Sequence, residues 1–224
     1  MNQPGQQQTF PILIRFKKAE LMRFIGHLDW LTLQTSLFLK AGMVISQSQG
    51  PTKRLKIKTS PPTPVGVASE CEITYLQLLE NIYPDEATRR LNDYCPDGVE
   101  CMFCLDGSDY SSKNPFKSIE ASEYILNPKS DPVPVMELLE KIKAGDLIDE
   151  DPYVLKPMSG RILELENIGD ELRVVSPQVE GKALHAAKCA SFIQEKLVLE
   201  HYPVFTRANF YRLNPTKKKL YQKQ

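Results

Sequence analysis

From Trp30 to Ser69 the chain has no aspartate and no glutamate. Within those forty positions Lys40, Lys53, Arg54, Lys56 and Lys58 are all basic. The protein as a whole carries 28 basic and 28 acidic side chains, so it is not a polyelectrolyte. Its basic character is local, and the natural partner of a local positive patch is an anion. The tail from Asn214 adds four lysines without an acid, against the 16 acids and 13 bases of residues 113–213.

Other absences exclude whole classes. No apolar run approaches the roughly 18–20 residues of a membrane span, so no membrane partner is expected. The opening Met1–Thr9 lacks the charged and apolar regions of a signal peptide, so residues 1–9 read as a disordered leader and the address as cytoplasmic. There is no glycine-rich phosphate loop, no H-E-x-x-H and no nucleophile–histidine–acid order, so no cofactor is expected and the balance leans away from an enzyme. At 224 residues and 42% hydrophobic content, one or two ordinary globular domains with real cores are expected.

Five cysteines are an odd number, and a disulfide framework is not expected. Cys101-Met-Phe-Cys104 is a C-x-x-C with Cys95 close by, which makes these three the candidate metal ligands. Structural zinc needs four ligands, usually from two such knuckles, and no second one exists. Val99–Leu105 also reads as a buried strand, on which residues three apart point to opposite faces. The expectation is therefore buried apolar thiols and no metal.

The elements read in order as a strand at Pro11–Lys17, a helix at His27–Lys40 stopped by Ala41-Gly42, and strands at Leu55–Thr59 and Cys71–Leu78. A helix at Pro84–Tyr94 and a strand at Val99–Leu105 follow. Strand, helix, strand, strand, helix, strand is the split β-α-β order of ferredoxin-like domains. Gly107–Ser118 is polar and turn-rich and reads as a linker. Beyond it come strands at Ala121–Leu126, Tyr153–Lys156, Arg161–Glu166 and Leu172–Val175. Helices at Val135–Ala144 and Ala183–Leu199 and a last strand at Val204–Leu213 complete the second half. The expectation is an α+β protein of two ferredoxin-like units: a leader 1–9, a first domain 10–106, a linker 107–118, a second domain 119–213 and a basic tail 214–224.

The block from Phe24 to Ser69 resembles the start of the bacterial radical SAM-linked family, a domain of unknown function found beside or fused to cobalamin-binding radical SAM proteins. The resemblance rests on Phe24, Ile25, His27, Leu28, Asp29, Ala41, Gly42, Ser48, Gly50, Lys56, Pro64, Gly66, Val67 and Ser69, which stand without a gap. It covers about 50 residues. Where the family has a serine before the histidine this chain has Gly26, and its Phe-Asn-Pro-His-Pro becomes Pro51-Thr52-Lys53-Arg54-Leu55. Arg54 in place of a histidine keeps charge but cannot transfer protons, because arginine stays protonated. The three-cysteine cluster motif of radical SAM enzymes is absent, so the resemblance implies a companion of such a protein rather than the enzyme itself.

Two groups of residues carry the functional readings. On a strand, Lys53–Lys58 would place Arg54, Lys56 and Lys58 on one face and Leu55 and Ile57 on the other. With Lys40, these cations would contact RNA or another polyanion without reading its sequence; the competing reading is a solvated edge strand guarded by lysines. His27 is the one candidate catalytic residue, a general base for phosphodiester cleavage with Lys53 or Arg54 stabilising charge. The competing reading is a buried histidine bonded to backbone beside Asp29, which favours the helix start. Three functions follow: a non-enzymatic RNA-binding module, an accessory protein for a radical SAM partner using an exposed Trp30, and a metal-independent endoribonuclease. The sequence does not reach the oligomeric state.

Overall fold

In the computed structural model, which describes residues 8–110, 113–146, 160–178, 183–212, 218–220 and 222, the chain forms two compact units. Unit 1 comprises residues up to Pro62 together with Glu72–Lys117; unit 2 comprises Thr63–Cys71 and Ser118–Gln222.

Alternation decides the first unit. Ile12, Ile14 and Phe16 of β1 (Phe10–Lys18) point into one core, because successive side chains of a strand take opposite faces. α1 (His27–Lys40) supplies Trp30, Leu37 and Phe38 at helical spacing, and it stops where Gly42 turns to φ +71°, a conformation that favours glycine. Phe16 meets Trp30 edge to face at 5.8 Å. The short β2 (Ile57–Thr59) pairs antiparallel with β3 (Ala68–Leu78), and α2 (Pro84–Asn92) leads to β4 (Val99–Asp106). The strand order is β4-β1-β3-β2, the ferredoxin-like order.

Unit 2 repeats the plan. β5 (Ala121–Asn127), α3 (Pro132–Ala144), β6 (Glu164–Asn167), β7 (Leu172–Pro177), α4 (Ala186–Leu197) and β8 (Val204–Arg212) run in the same sequence of types. Their strand order is β8-β5-β7-β6, again the fourth, first, third and second strand of the unit. α3 buries Val135, Leu138, Leu139 and Ile142, and α4 buries Ala186, Cys189, Ala190 and Ile193. Both sets follow i, i+3, i+4, i+7, a single apolar stripe on the sheet. Asp131 caps α3 by accepting the Val133 N–H at 2.9 Å, and Gly145 closes it in the left-handed region.

The start of β3 belongs to unit 2, where Ala68 and Ser69 pair in parallel with Thr206 and Arg207 of β8, and Val67 enters that core. Lys218 and Lys219, within the expected basic tail, form β9 on the β8 residues Arg212 and Tyr211. The strand expected at Tyr153–Lys156 lies outside the described residues. The fold is α+β, with the ferredoxin-like order present twice. None of the helices among the described residues is long and apolar enough to cross a membrane.

Candidate functional site

The acid-free stretch folds into an irregular hairpin rather than the long strand expected from its alternation. After α1, Ile45 bridges Leu78 at the end of β3, and the Ser46 N–H bonds the Gln77 carbonyl at 2.7 Å. The chain then turns outward. Gln47 bridges Leu55, the Ser48 N–H bonds the Arg54 carbonyl at 2.7 Å, and the Ser48 hydroxyl accepts the Arg54 N–H at 3.0 Å. The Lys56 N–H returns to the Ser46 carbonyl at 2.9 Å before β2 begins at Ile57. Gly50, at φ +140° with open space around it, makes the tip possible.

These backbone bonds correct the expected strand Leu55–Thr59 and sort the cations. Lys53 and Arg54 lie in the exposed loop, and Lys56 is exposed just before β2. Leu55 and Ile57 pack on the core, so the alternation survives while the strand shrinks. Lys58 is half-buried and its ammonium donates to the Lys113 carbonyl, which removes it from the expected row of three open cations. Lys40 is exposed in the last turn of α1. Lys53, Arg54 and Lys56 have no ion-pair partner among the described residues.

His27 is exposed, not buried as expected, and opens α1 with Asp29 one position beyond Leu28. The 14-residue helix places it about 20 Å along the axis from the end that leads into the hairpin. Trp30 is the buried one, at 2% exposure, with the Lys18 ammonium 5.8 Å above its ring. The exposed-tryptophan surface expected for a partner is therefore absent. The outer face of α1 instead shows Leu28 at 77% and Leu39 at 61% exposure.

The cysteines give a second correction. Arg15 pairs with Phe103 but Phe16 pairs with Cys101, so β4 carries one extra residue, Met102, at a bulge. The bulge turns Cys101 and Cys104 onto one face, Sγ to Sγ 3.8 Å apart, instead of onto opposite faces. Both face the core beside α2, whose side chains satisfy the disturbed backbone. Asn92 exchanges two 2.8 Å hydrogen bonds with Cys101, and the Thr88 hydroxyl accepts the Cys104 N–H at 2.9 Å. The Cys104 thiol beside it, followed by burial, pushes the Cys101 thiol far up, and burial also raises Cys95. Metal ligation needs thiolates, and among the described residues no three histidine, cysteine or acidic side chains gather in a metal-holding group.

Two arrangements were not read from the sequence. At the end of unit 1 where β1 begins and β3 and β4 end lies a pocket of about 300 Å³, lined by Phe10, Leu78, Asn81, Tyr83, Asp106 and Ser108 among others. Its signal was an aromatic before Pro84 at a strand-to-helix turn; its other walls come from positions far apart in the chain. Asp106 accepts the Ser108 hydroxyl and its N–H, which hold the carboxyl below its ordinary range.

In unit 2, Glu123 is 3% exposed on β5. Its carboxylate accepts from Arg173 Nε, Tyr211 Oη and Asn209 Nδ2, each at 2.6 Å. Arg173 Nη1 also reaches Glu164 and Glu166, at 3.2 Å each. Burial pushes the Glu123 carboxyl up, but hydrogen bonds from Tyr211, Asn209 and Arg173 outweigh it and hold it below its ordinary value. Burial and the Glu123 contact push Tyr211 up to about 12. Every member has partners, which is the condition for a stable buried polar network. Arg173, Asn209 and Tyr211 lie 50 to 88 positions from Glu123, beyond the reach of any local motif.

Residues 12–152, more than half of the chain, match a family described as uncharacterized protein conserved in bacteria (DUF2344). The chain belongs to that family. Among curated proteins none matches it.

Proposed function

We propose that this chain is a non-enzymatic RNA-binding module that holds the phosphate backbone on the hairpin between Ser48 and Lys56. The observation that carries the reading is the state of Lys53, Arg54 and Lys56: exposed, without ion-pair partners among the described residues, and set in a forty-residue stretch without an acid. Cations that the fold leaves uncompensated are available to phosphates, and such contacts position a strand without reading its sequence. Three phosphate contacts to a single strand correspond to a slope of log K on log salt of about −2.

The test is fluorescence anisotropy of a labelled single-stranded RNA pool titrated with the protein across a salt series. Binding should weaken steeply with salt, and the double reversal Arg54→Glu, Lys56→Glu should abolish it while Lys58→Ala changes little. Salt-independent binding, or no binding to any pool, sinks the reading. Stronger binding to single-stranded DNA than to RNA would redirect it to another polyanion.

The endoribonuclease reading has less support, because direct proton transfer needs contact at about 3 Å and His27 stands at the other end of α1 from the hairpin's base. An accessory role beside a radical SAM protein rests on the resemblance over Phe24–Ser69 and on Leu28 and Leu39, which leave α1 an exposed apolar face. Co-purification that is lost on Leu28→Glu, with RNA binding intact, would favour that role.

A further inference from the structure

We propose that the pocket between Phe10, Tyr83 and Asp106 receives one unstacked nucleobase, guanine in preference to the others, from the RNA strand whose phosphates lie on the hairpin. The proposal rests on the RNA-binding reading and adds a base-reading site to it.

Position is the first argument. Leu78 is a wall of the pocket and is also the residue that bridges Ile45 at the root of the hairpin. The Leu79 N–H bonds the Val44 carbonyl at 2.8 Å in the same place. Neighbouring strands lie about 4.8 Å apart, so pocket and hairpin root are adjacent at one end of the unit 1 sheet. Arg54 stands opposite Ser48, three residues out from Ile45, so a strand held on these cations has at most about 10 Å to span to reach the hairpin root.

Chemistry is the second argument. Tyr83 is 77% exposed although it is a large aromatic, and Phe10, the first residue of β1, is half-buried in the same pocket wall. Exposed rings at a concave site are stacking platforms for bases of single strands. The polar end of the pocket is made of acceptor-bearing groups. Asp106 Oδ1 takes the Ser108 N–H at 2.8 Å, and Oδ2 has no partner among the described residues. The exposed Asn81 carboxamide is likewise without a partner among them. Guanine offers two adjacent N–H donors, at N1 and the 2-amino group, which suit a carboxylate held ionised. Uracil offers one donor between two carbonyl oxygens, which a carboxylate repels. Adenine and cytosine offer a single amino group beside an unprotonated ring nitrogen, a poorer match.

The size agrees. About 300 Å³ is at the small end of ligand pockets, enough for a base and not for a folded helix of RNA. The negative charge of Asp106 disfavours phosphate inside, so the base enters and the backbone stays on the hairpin.

The full chain is titrated with a labelled uridine 12-mer carrying one central guanosine, with the same oligonucleotide carrying inosine, and with the all-uridine strand. Inosine keeps N1–H and lacks the 2-amino group. The guanosine strand should bind about tenfold more tightly than the inosine strand, the worth of one hydrogen bond to a charged group. Asp106→Asn should erase that preference and leave uridine binding intact. Tyr83→Ala should weaken the guanosine strand about tenfold through lost stacking. Both residues are exposed, and an unchanged thermal melt confirms that the variants fold. Equal binding of all three strands, unaffected by either variant but lost on Arg54→Glu, Lys56→Glu, overturns the pocket and leaves the hairpin standing. No binding of any strand overturns both.

Discussion

The same strand order is built twice in this protein, and the two copies handle charge in opposite ways. In unit 2 charged groups of the sheet are turned inward and closed on one another: the Glu123 carboxylate accepts from Arg173, Asn209 and Tyr211. In unit 1 the hairpin cations Lys53, Arg54 and Lys56 are turned outward, without an ion-pair partner among the described residues. A charge that a fold compensates internally is part of its stability. A charge left uncompensated in an acid-free segment adds nothing to stability and is free to meet a ligand. Two topologically equal units can thus divide labour by where their polar side chains point.

Substitutions can break or sharpen this contrast, and the largest effect is expected where unit 1 is held together. Trp30→Ala removes its most voluminous fully buried side chain and should destabilise unit 1 by about 3–5 kcal/mol. Hydrogen exchange should show the loss in β1 and α1, with α3 and α4 still protected. Equal loss in both units would mean that they fold as one and that the contrast is not modular.

Glu123→Ala should cost about 3 kcal/mol in denaturant unfolding, because it removes the shortest ion pair of the largely buried Arg173. The pH dependence follows the same group. Its folded pKa lies below its ordinary value, so its contribution is present above about pH 4.3, the unfolded value. It is lost as the pH falls through the lower folded value. Glu123→Gln should flatten that acid limb. A limb of unchanged steepness would place the acid sensitivity elsewhere.

Arg54→Glu with Lys56→Glu should leave the melting temperature unaltered and weaken RNA binding at least 100-fold, a loss of about 2.7 kcal/mol. A fall in stability instead would make the hairpin cations structural and erase the distinction between the units. The smallest effect is expected for His27→Ala. An exposed side chain without a hydrogen bond among the described residues should change stability by no more than about 0.5 kcal/mol, and RNA affinity should be unaltered. Loss of RNA cleavage in that variant would revive the endoribonuclease reading.

Much of the fold was legible because the periodic elements are strong. α1 was read with both ends correct, since Gly26 and Ala41-Gly42 mark them in the sequence. α3 was placed by its apolar stripe and by Gly145, although its true start at Pro132 was missed because its first turn carries Pro132 and Pro134 and lacks an acidic signal. The hairpin was misread as strand because alternation reports which side chains face a core and not whether the backbone is laddered; Leu55 and Ile57 do face the core. The cysteine pair was misread because a bulge breaks the two-residue period, and nothing in Cys-Met-Phe-Cys announces a bulge. The pocket and the Glu123 network were invisible for a different reason. Their members come together only when distant strands find their register.

The strand from Ala68 to Leu78 has a practical consequence for anyone dissecting this protein. Its opening residues pair with Thr206 and Arg207 and carry Val67 into the second core, and the Cys71 carbonyl accepts from the buried Arg207 at 3.1 Å. A fragment cut at the polar stretch 107–118 and expressed from Ser118 onward therefore lacks a piece of its own sheet. It would be left with the flank of β8 open at Thr206 and Arg207, a buried guanidinium without its carbonyl, and a gap where Val67 sat. Bare strand edges recruit other chains. Such a fragment should be a source of inclusion bodies, whereas one that restores Thr63–Cys71, by fusion or by circular permutation, keeps the sheet whole.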